Sequence, residues 1–369
     1  MVQTPIFESG RLSLKSIYLK DFRNYNSLSV QFGPKTNVIY GENGQGKTNL
    51  LEAIYLLATG RSFRTLRLNE LIRQGANAFF IEAEIIKNDV TSTLRISFDG
   101  QTKKLEHNGT RYSSFHPLLG LLPSVLYSPL DAEFISGAPA VRRRFINLHL
   151  AQSDPNYLHS FTLYWQAMRQ RNALLKRKVV ESIECWEQQM APAAIYVREK
   201  RFDMLRILPP FLQQAMESLS PQAEPLELRF YPSYPEQAEA YLQQLKQNRS
   251  REIQMGFTLT GPHRDDFILL MEGRSARLFA SEGQRRTATF AIKLAQWHQL
   301  AQQIGETPLF GIDDFGLHLD DERKERLRTL LGSFGQIFLT TPQLIAADFS
   351  DAHRILIHQG AMAESAVIH

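Results

Sequence analysis

Val38-Ile39-Tyr40-Gly41-Glu42-Asn43-Gly44-Gln45-Gly46-Lys47-Thr48-Asn49-Leu50-Leu51-Glu52-Ala53-Ile54-Tyr55-Leu56-Leu57-Ala58 is the stretch whose reading decides the fold. Val38, Ile39 and Tyr40 form a short apolar run that reads as a buried strand. Residues 41–48 fit the phosphate-loop pattern: a glycine, four residues, then Gly46-Lys47-Thr48. From Lys47 onward, Leu50, Leu51, Ile54, Leu57 and Ala58 recur at helical spacing. Strand, glycine-rich turn and helix therefore follow in the order a triphosphate site needs. The amides of Gly41, Glu42, Asn43, Gly44, Gln45 and Gly46 are expected to close on phosphate oxygens, helped by the positive end of the helix dipole. Lys47 is expected to reach the β- and γ-phosphates of ATP as a catalytic cation, and Thr48 to ligate Mg²⁺.

A chain of 369 residues holds two or three domain-sized units. Hydrophobic residues make up 43% and charged residues 22%, ample for a packed core. No apolar run is long enough for a membrane span, so no membrane partner is expected. Residues 1–10 carry no basic segment followed by a long apolar one, so no secretory signal is expected. The single cysteine, Cys185, excludes an intramolecular disulfide framework and a cysteine-built metal site. Together these features favour a cytoplasmic protein. The net charge of +4 is compatible with nucleic acid without pointing to it.

Strands are expected over 12–20, 29–32, 38–40 and 124–127. Residues 79–87 and 90–98 flank Asn88-Asp89, and Asp99-Gly100 and Asn108-Gly109 mark further tight turns. This reads as an antiparallel meander on a parallel core, with a separate small β domain as the alternative. Residues 140–218 carry long helical patterns, expected to be interrupted at Pro209-Pro210 and ended by Pro221 and Pro225. A strand over 226–231 and a helix over 235–247 follow. The expected organisation is an ATPase part over 12–130, an inserted helical lobe over 131–254, and a second ATPase part over 255–369.

Pro308-Leu309-Phe310-Gly311-Ile312-Asp313-Asp314 is an apolar strand ending in two acids. Asp313 is expected to hold Mg²⁺ through water, and Asp314 to polarise the attacking water as the catalytic carboxylate. Upstream, Ser281-Glu282-Gly283-Gln284 opens a helical pattern. Ser281, Gly283 and Gln284 there read as a second anion site; the other reading is a capping serine before a solvated basic turn. This is the order of elements in ABC-type ATPases. Thr340 and Thr341 end a further strand, either sensing the γ-phosphate or simply closing the strand.

Several phrases carry a resemblance. They are Leu19-Lys20-Asp21-Phe22-Arg23-Asn24-Tyr25, the phosphate loop, Gly60-Arg61-Ser62-Phe63-Arg64-Thr65, Glu70-Leu71-Ile72-Arg73, Arg142-Arg143-Arg144-Phe145, the stretch from Arg169 to Lys176, Gly261-Pro262-His263-Arg264-Asp265-Asp266, and Ser281-Glu282-Gly283-Gln284. In this order and spacing, over about residues 12 to 358, the chain resembles the RecF family of bacterial recombination-mediator ATPases, relatives of SMC-type heads. The chain departs from the family at Glu282, where glutamine is usual, at Leu317-His318-Leu319-Asp320 after the acid pair, at Ser128-Pro129-Leu130-Asp131, and at Leu66-Arg67-Leu68.

The resemblance implies an α/β P-loop NTPase of the ABC/SMC-head type, with an antiparallel β meander and an inserted helical lobe. It implies two copies dimerising on ATP over duplex or gapped DNA, with RecR and RecO as partners at single-strand gaps. Arg142, Arg143, Arg144, Arg169, Arg171, Lys176, Arg177 and Lys178 are candidate DNA contacts. Asp314, one methylene shorter than the glutamate usual in ABC motors, suggests slow, DNA-dependent hydrolysis that acts as a release timer. A transport ATPase, a small-molecule kinase and a divergent paralogue without mediator activity are the competing readings.

Overall fold

The computed structural model describes residues 12–220, 224–315, 325–326, 329–332, 334–343 and 351–363. In chain order its elements begin with β1 (Leu12–Phe22), β2 (Tyr25–Gln31), β3 (Thr36–Tyr40), α1 (Lys47–Thr59), β4 (Phe79–Lys87), β5 (Val90–Phe98), β6 (Lys103–His107), β7 (Thr110–Tyr112) and β8 (Ser124–Tyr127). Next come α2 (Glu133–Ser136), α3 (Pro139–Ser153), α4 (Pro155–Arg177), α5 (Ile183–Leu219), β9 (Leu226–Tyr231), α6 (Ala238–Met255), β10 (Asp266–Met271), β11 (Arg274–Ser275) and α7 (Ala276–Phe279). The chain continues through α8 (Glu282–Ile304), β12 (Leu309–Ile312), β13 (Ile337–Thr341), β14 (His353–His358) and β15 (Ala361–Ala363).

Contacts group these elements into two units: Met1–Asp131 with Gln214–Ala223 and Phe290–His369, and Ala132–Gln213 with Glu224–Thr289. The insertion therefore ends later than the expected boundary at 254/255. Residues 255–289 belong to the second unit because β10 pairs with β9 of the helical segment along its whole length.

Among the described residues, the first unit contains two six-stranded sheets. The antiparallel one has the order β2-β1-β4-β5-β6-β7; the other, β15-β14-β3-β13-β12-β8, is parallel except for its edge strand β15. β4 alternates buried and half-buried side chains, as a sheet with one covered face requires. Asn88 and Asp89 both have positive φ (50° and 61°), as do Asn108 and Gly109 (48° and 79°), the geometry of tight two-residue hairpins. The meander is no separate domain. Leu19, Ile81 and Ile96 from it share one core with Leu50, Ile54 and Leu57 of α1 and Ile39, Phe338 and Ile355 of the parallel sheet. α1 touches β8 and β13 of one sheet and β4 and β5 of the other, which explains why it is buried almost all round. A register shift in β1 between Leu14 and Ser16 leaves backbone groups that Gln336 satisfies. Its amide accepts from Leu14 N–H (2.7 Å) and donates to the Leu14 and Gly33 carbonyls (2.8 Å each).

The second unit is built around α3 to α6 and the sheet β11-β10-β9. The helix α5 runs unbroken through Pro192, Pro209 and Pro210, against the expected interruption. Met204, Leu205, Leu208, Phe211, Leu212 and Ala215 are all buried along it, and this packing outweighs the lost backbone hydrogen bonds. Three arginines are consumed by this unit's interior. Arg171, fully buried, reaches Glu187 (2.8 Å) and Glu252 (2.6 Å). Arg201, also fully buried, reaches Asp265 (2.6 Å) and the Pro262 carbonyl (2.9 Å). Arg142 grips Asp266 with two bonds of 2.8 and 3.0 Å. Arg142 and Arg171 are therefore structural, which removes them from the expected DNA contacts. Arg143 is half committed, donating to the Asp265 carbonyl at 2.7 Å. Arg169, Lys176, Arg177 and Lys178 remain exposed.

His263 stands between the Tyr164 hydroxyl (2.6 Å) and the Thr258 carbonyl (3.0 Å). A neutral ring with its proton on Nε2 satisfies both, since Nδ1 then accepts from tyrosine. Burial accordingly pushes its pKa down to about 4. The unfolded chain takes up this proton from about pH 6.5 downward and the folded chain does not. The contribution of His263 is thus complete above about pH 6.5 and is lost as pH falls toward about 4. In urea titrations, His263→Gln should show a shallower fall in midpoint between pH 7 and pH 5 than the wild type. Asp265→Ala, which strands a buried guanidinium, should destabilise by about 3–5 kcal/mol. Glu227→Ala, on an exposed pair, should stay within about 0.5 kcal/mol in the same assay.

Candidate nucleotide site

β3 delivers the chain into the loop 41–46 and α1 leaves it, as the glycine spacing predicts. Gly41 (φ 144°) passes so close to β14 that a Cβ would lie 2.2 Å from the Ile357 carbonyl. A Cβ at Gly46 (φ 122°) would meet the Asn24 amide and the Tyr25 hydroxyl at 2.8 Å. Those same groups hold the loop from outside: Asn24 donates to the Gln45 carbonyl (2.9 Å) and Tyr25 to the Gly46 carbonyl (2.7 Å). Gly360 N–H donates to the Gln45 carbonyl as well (3.1 Å). Glu42, Asn43 and Gly44 form the exposed rim. Lys47 spans the loop, donating to the Gly41 and Glu42 carbonyls at 2.7 and 2.8 Å. Burial lowers its pKa, while the charges of Asp314 and Asp313 oppose that shift.

β12 lies between β13 and β8, so its C-terminal acids arrive beside α1. Asp313 Oδ1 accepts from the Thr48 hydroxyl at 2.9 Å and from the Thr340 hydroxyl at 2.8 Å. Burial raises the Asp313 pKa, the nearby Asp314 charge adds to this, and the two hydroxyls counter it. Asp314 sits in the left-handed region (φ 56°) with its N–H on the Thr340 hydroxyl (2.8 Å). Thr340 is buried and serves both acids at once, so it is not directed at a γ-phosphate. Thr341 donates to the Gln343 carbonyl (3.0 Å). The departure at 317–320 lies outside the described residues.

One functional residue was not singled out from sequence. Glu52 is fully buried in an otherwise apolar helix, and that mismatch was its signal. Its carboxylate accepts two bonds from Arg23 (2.8 and 2.7 Å), one from Ser62, and a longer one from Arg64 (3.5 Å). Arg64 also donates to Asn49 (2.7 Å), and Asn49 to Asn24 (2.8 Å). The phrases around Arg23 and around Ser62 are therefore a clamp on the helix that begins at Lys47.

Ser281, Gly283 and Gln284 belong to the second unit. The Ser281 hydroxyl accepts from Gln284 N–H (3.2 Å), and the Gln284 side chain accepts from Ser281 N–H (2.7 Å), a reciprocal cap on α8. The capping reading thus holds within one chain. Glu282 turns along the helix to pair with Arg286. Gly283 is exposed, and a Cβ on it would meet nothing within 4 Å. The chain's own packing does not require a glycine there.

The residues suit a Mg²⁺-bound triphosphate. Thr48 and Asp313 supply one hydroxyl and one carboxylate, and Mg²⁺ takes its other ligands from phosphate and water. Among the described residues, no cluster of three His, Cys, Asp or Glu forms a protein-only cation site. No helix among them is long and apolar enough to cross a membrane.

Comparison with known proteins agrees with this geometry. Residues 13–356 match the family model described as RecF/RecN/SMC N terminal domain. The DNA replication and repair protein RecF of Protochlamydia amoebophila is 41% identical over 350 residues, 93% of this chain and 98% of that protein. Its counterpart in Chlamydia caviae is 36% identical, covering 93% and 95%. Among solved structures, the recombination mediator protein RecF-ATP of the RecFOR pathway matches with a TM-score of 0.88 at 29% identity, over 96% of this chain and 98% of that one. The RecF-ATPrS structure matches at 0.87 and 28%, over 98% and 100%. An Smc head bound to the C-winged helix domain of ScpA matches at 0.55 and 17%, over 95% of each chain, a likeness of fold alone. With an ABC-type ATPase head fold, a phosphate loop joined to its acid strand, and these relatives along nearly its whole length, the chain belongs to the RecF family.

Proposed function

We propose that the protein is an ATP-dependent DNA-binding factor of replication and recombinational repair, whose two copies close on one another around ATP. The observation that carries this reading is Thr48 and Thr340 converging on Asp313 at the mouth of the phosphate loop. ATP is the ligand this reading assigns, supported by the two similar solved structures, RecF-ATP and RecF-ATPrS. Lys47 would exchange the Gly41 and Glu42 carbonyls for the β- and γ-phosphates, and Thr48 and Asp313 would hold Mg²⁺. Mg²⁺, when bound, would neutralise phosphate charge and fix the oxygens for in-line attack. Asp314 would orient the water, its backbone fixed by Thr340.

Ser281 and Gly283 of one copy would cap the γ-phosphate held by the other. Support comes from the open surface at Gly283 and from Glu282, which Arg286 draws along the helix. ATP then favours the closed pair through contacts that only the closed pair makes. The relatives' naming as DNA replication and repair proteins supports DNA as partner, with RecR and RecO implied by the RecFOR pathway and recombinase loading at gaps as the outcome. Exposed Arg169, Lys176, Arg177 and Lys178, with half-buried Arg143 and Arg144, are the remaining candidates in the second unit for phosphate contacts. Work on chromosomal DNA implies a cytoplasmic location.

Sedimentation should give a dimer with MgATP and a monomer with MgADP, and Lys47→Ala should stay monomeric with both. The same oligomer with either nucleotide would sink the proposal. Hydrolysis measured as released phosphate should run below the kinase range of about 1–100 per second, because the Asp314 carboxylate has a short reach.

A further inference from the structure

We propose that Glu224 is a positioning residue for the turn that opens α8: it orients the Gln284 side chain so that Ser281 presents its hydroxyl proton to the γ-phosphate held by a second copy. The inference rests on the two-copy reading above and names what shapes the capping surface. Glu224, Ser281 and Gln284 all belong to the second unit. Glu224 stands just before β9, whose pairing with β10 runs from Leu226 opposite Met271. The Pro225 carbonyl accepts from Glu272 N–H (3.2 Å) and carries that pairing one step further. The sheet therefore fixes the backbone that bears Glu224.

The Glu224 carboxylate accepts from Gln284 Nε2 with both oxygens, at 2.9 and 3.1 Å. An ionised carboxylate only accepts, so the amide must turn its nitrogen toward Glu224. Its oxygen is thereby aimed at the Ser281 N–H, which it meets at 2.7 Å. The reverse orientation would set the amide NH₂ against a backbone N–H, donor against donor. The Ser281 hydroxyl closes the circuit by accepting from Gln284 N–H at 3.2 Å. A hydroxyl has one proton and two lone pairs, so this bond leaves the proton to be donated outward. The Gly283 N–H lies in the first turn of α8, where the helix itself supplies no acceptor.

The negative charge of Glu224 is of no use to an arriving phosphate, which it repels. Its value is as an acceptor of fixed direction. Without it the Gln284 amide gains rotamers that leave the Ser281 N–H uncapped, and the turn that must meet the γ-phosphate loosens. A neutral side chain of the same length that still accepts from Gln284 would therefore serve as well.

Sedimentation with MgATP over a range of protein concentrations tests this. Glu224→Ala should weaken the dimer about tenfold, because each pair contains two such turns. Glu224→Gln, which keeps an acceptor for Gln284 Nε2, should stay within about twofold of the wild type. Gln284→Ala should weaken the dimer about as much as Glu224→Ala, and the double variant no further, since one residue acts through the other. Glu227→Ala, on the exposed pair with Arg229 in β9, should leave the dimer unchanged. Wild-type dimerisation in Glu224→Ala, a glutamine variant as weak as the alanine one, or additive losses in the double variant would each overturn the proposal. So would a matching loss of MgADP binding, which the loop 41–48 performs without a second copy. A wild type that stays monomeric with MgATP would instead remove the two-copy reading itself.

Discussion

One carboxylate oxygen holds the nucleotide end of the first unit together. Asp313 Oδ1 receives Thr48 from a position 265 residues away in the chain and Thr340 from 27 residues away. It can do so only because β13 lies between β3 and β12, and every parallel strand of that sheet ends on the same side. A buried carboxylate without donors would drift toward its neutral form, which attracts a cation far less. The sheet order, the helix packed between the sheets and the chemistry at their ends are thus one arrangement.

Much of this was readable in the residues. Strand, loop and helix at 38–58 follow from apolar periodicity and glycine spacing, and the hairpins from Asn-Asp and Asn-Gly turns. The acid strand was readable because four consecutive apolar residues precede Asp313. Less visible was whatever depended on burial. Arg142 and Arg171 look like Arg169 in sequence, yet carboxylates from distant segments absorb the first two. Glu52 looks like an ordinary helical glutamate until Arg23, Ser62 and Arg64 converge on it. Thr340 sits at a strand end where a γ-phosphate sensor would sit, but its hydroxyl is spent on the acid pair. Local rules describe propensities, and these residues are decided by partners that only the tertiary fold supplies.

The second unit uses charge in place of extra apolar bulk. Arg171 and Arg201 are wholly buried, and each is met by carboxylates, carbonyls or hydroxyls in fixed geometry. Such pairs add little net stability compared with apolar side chains of equal size, but they penalise any packing in which one partner is misplaced. The phrase 261–266 is held tightly by the same packing. Gly261 approaches the Tyr164 and Tyr241 hydroxyls too closely for a side chain, and Asp265 and Asp266 each anchor an arginine.

The hairpin β14–β15 touches the phosphate loop directly, through Ile357 over Gly41 and through Gln359 and Gly360 on Gln45. On the ribosome, the loop therefore emerges more than three hundred residues before the strands that clasp it. A nascent chain halted short of residue 353 carries the complete glycine motif yet lacks the backbone that shapes it.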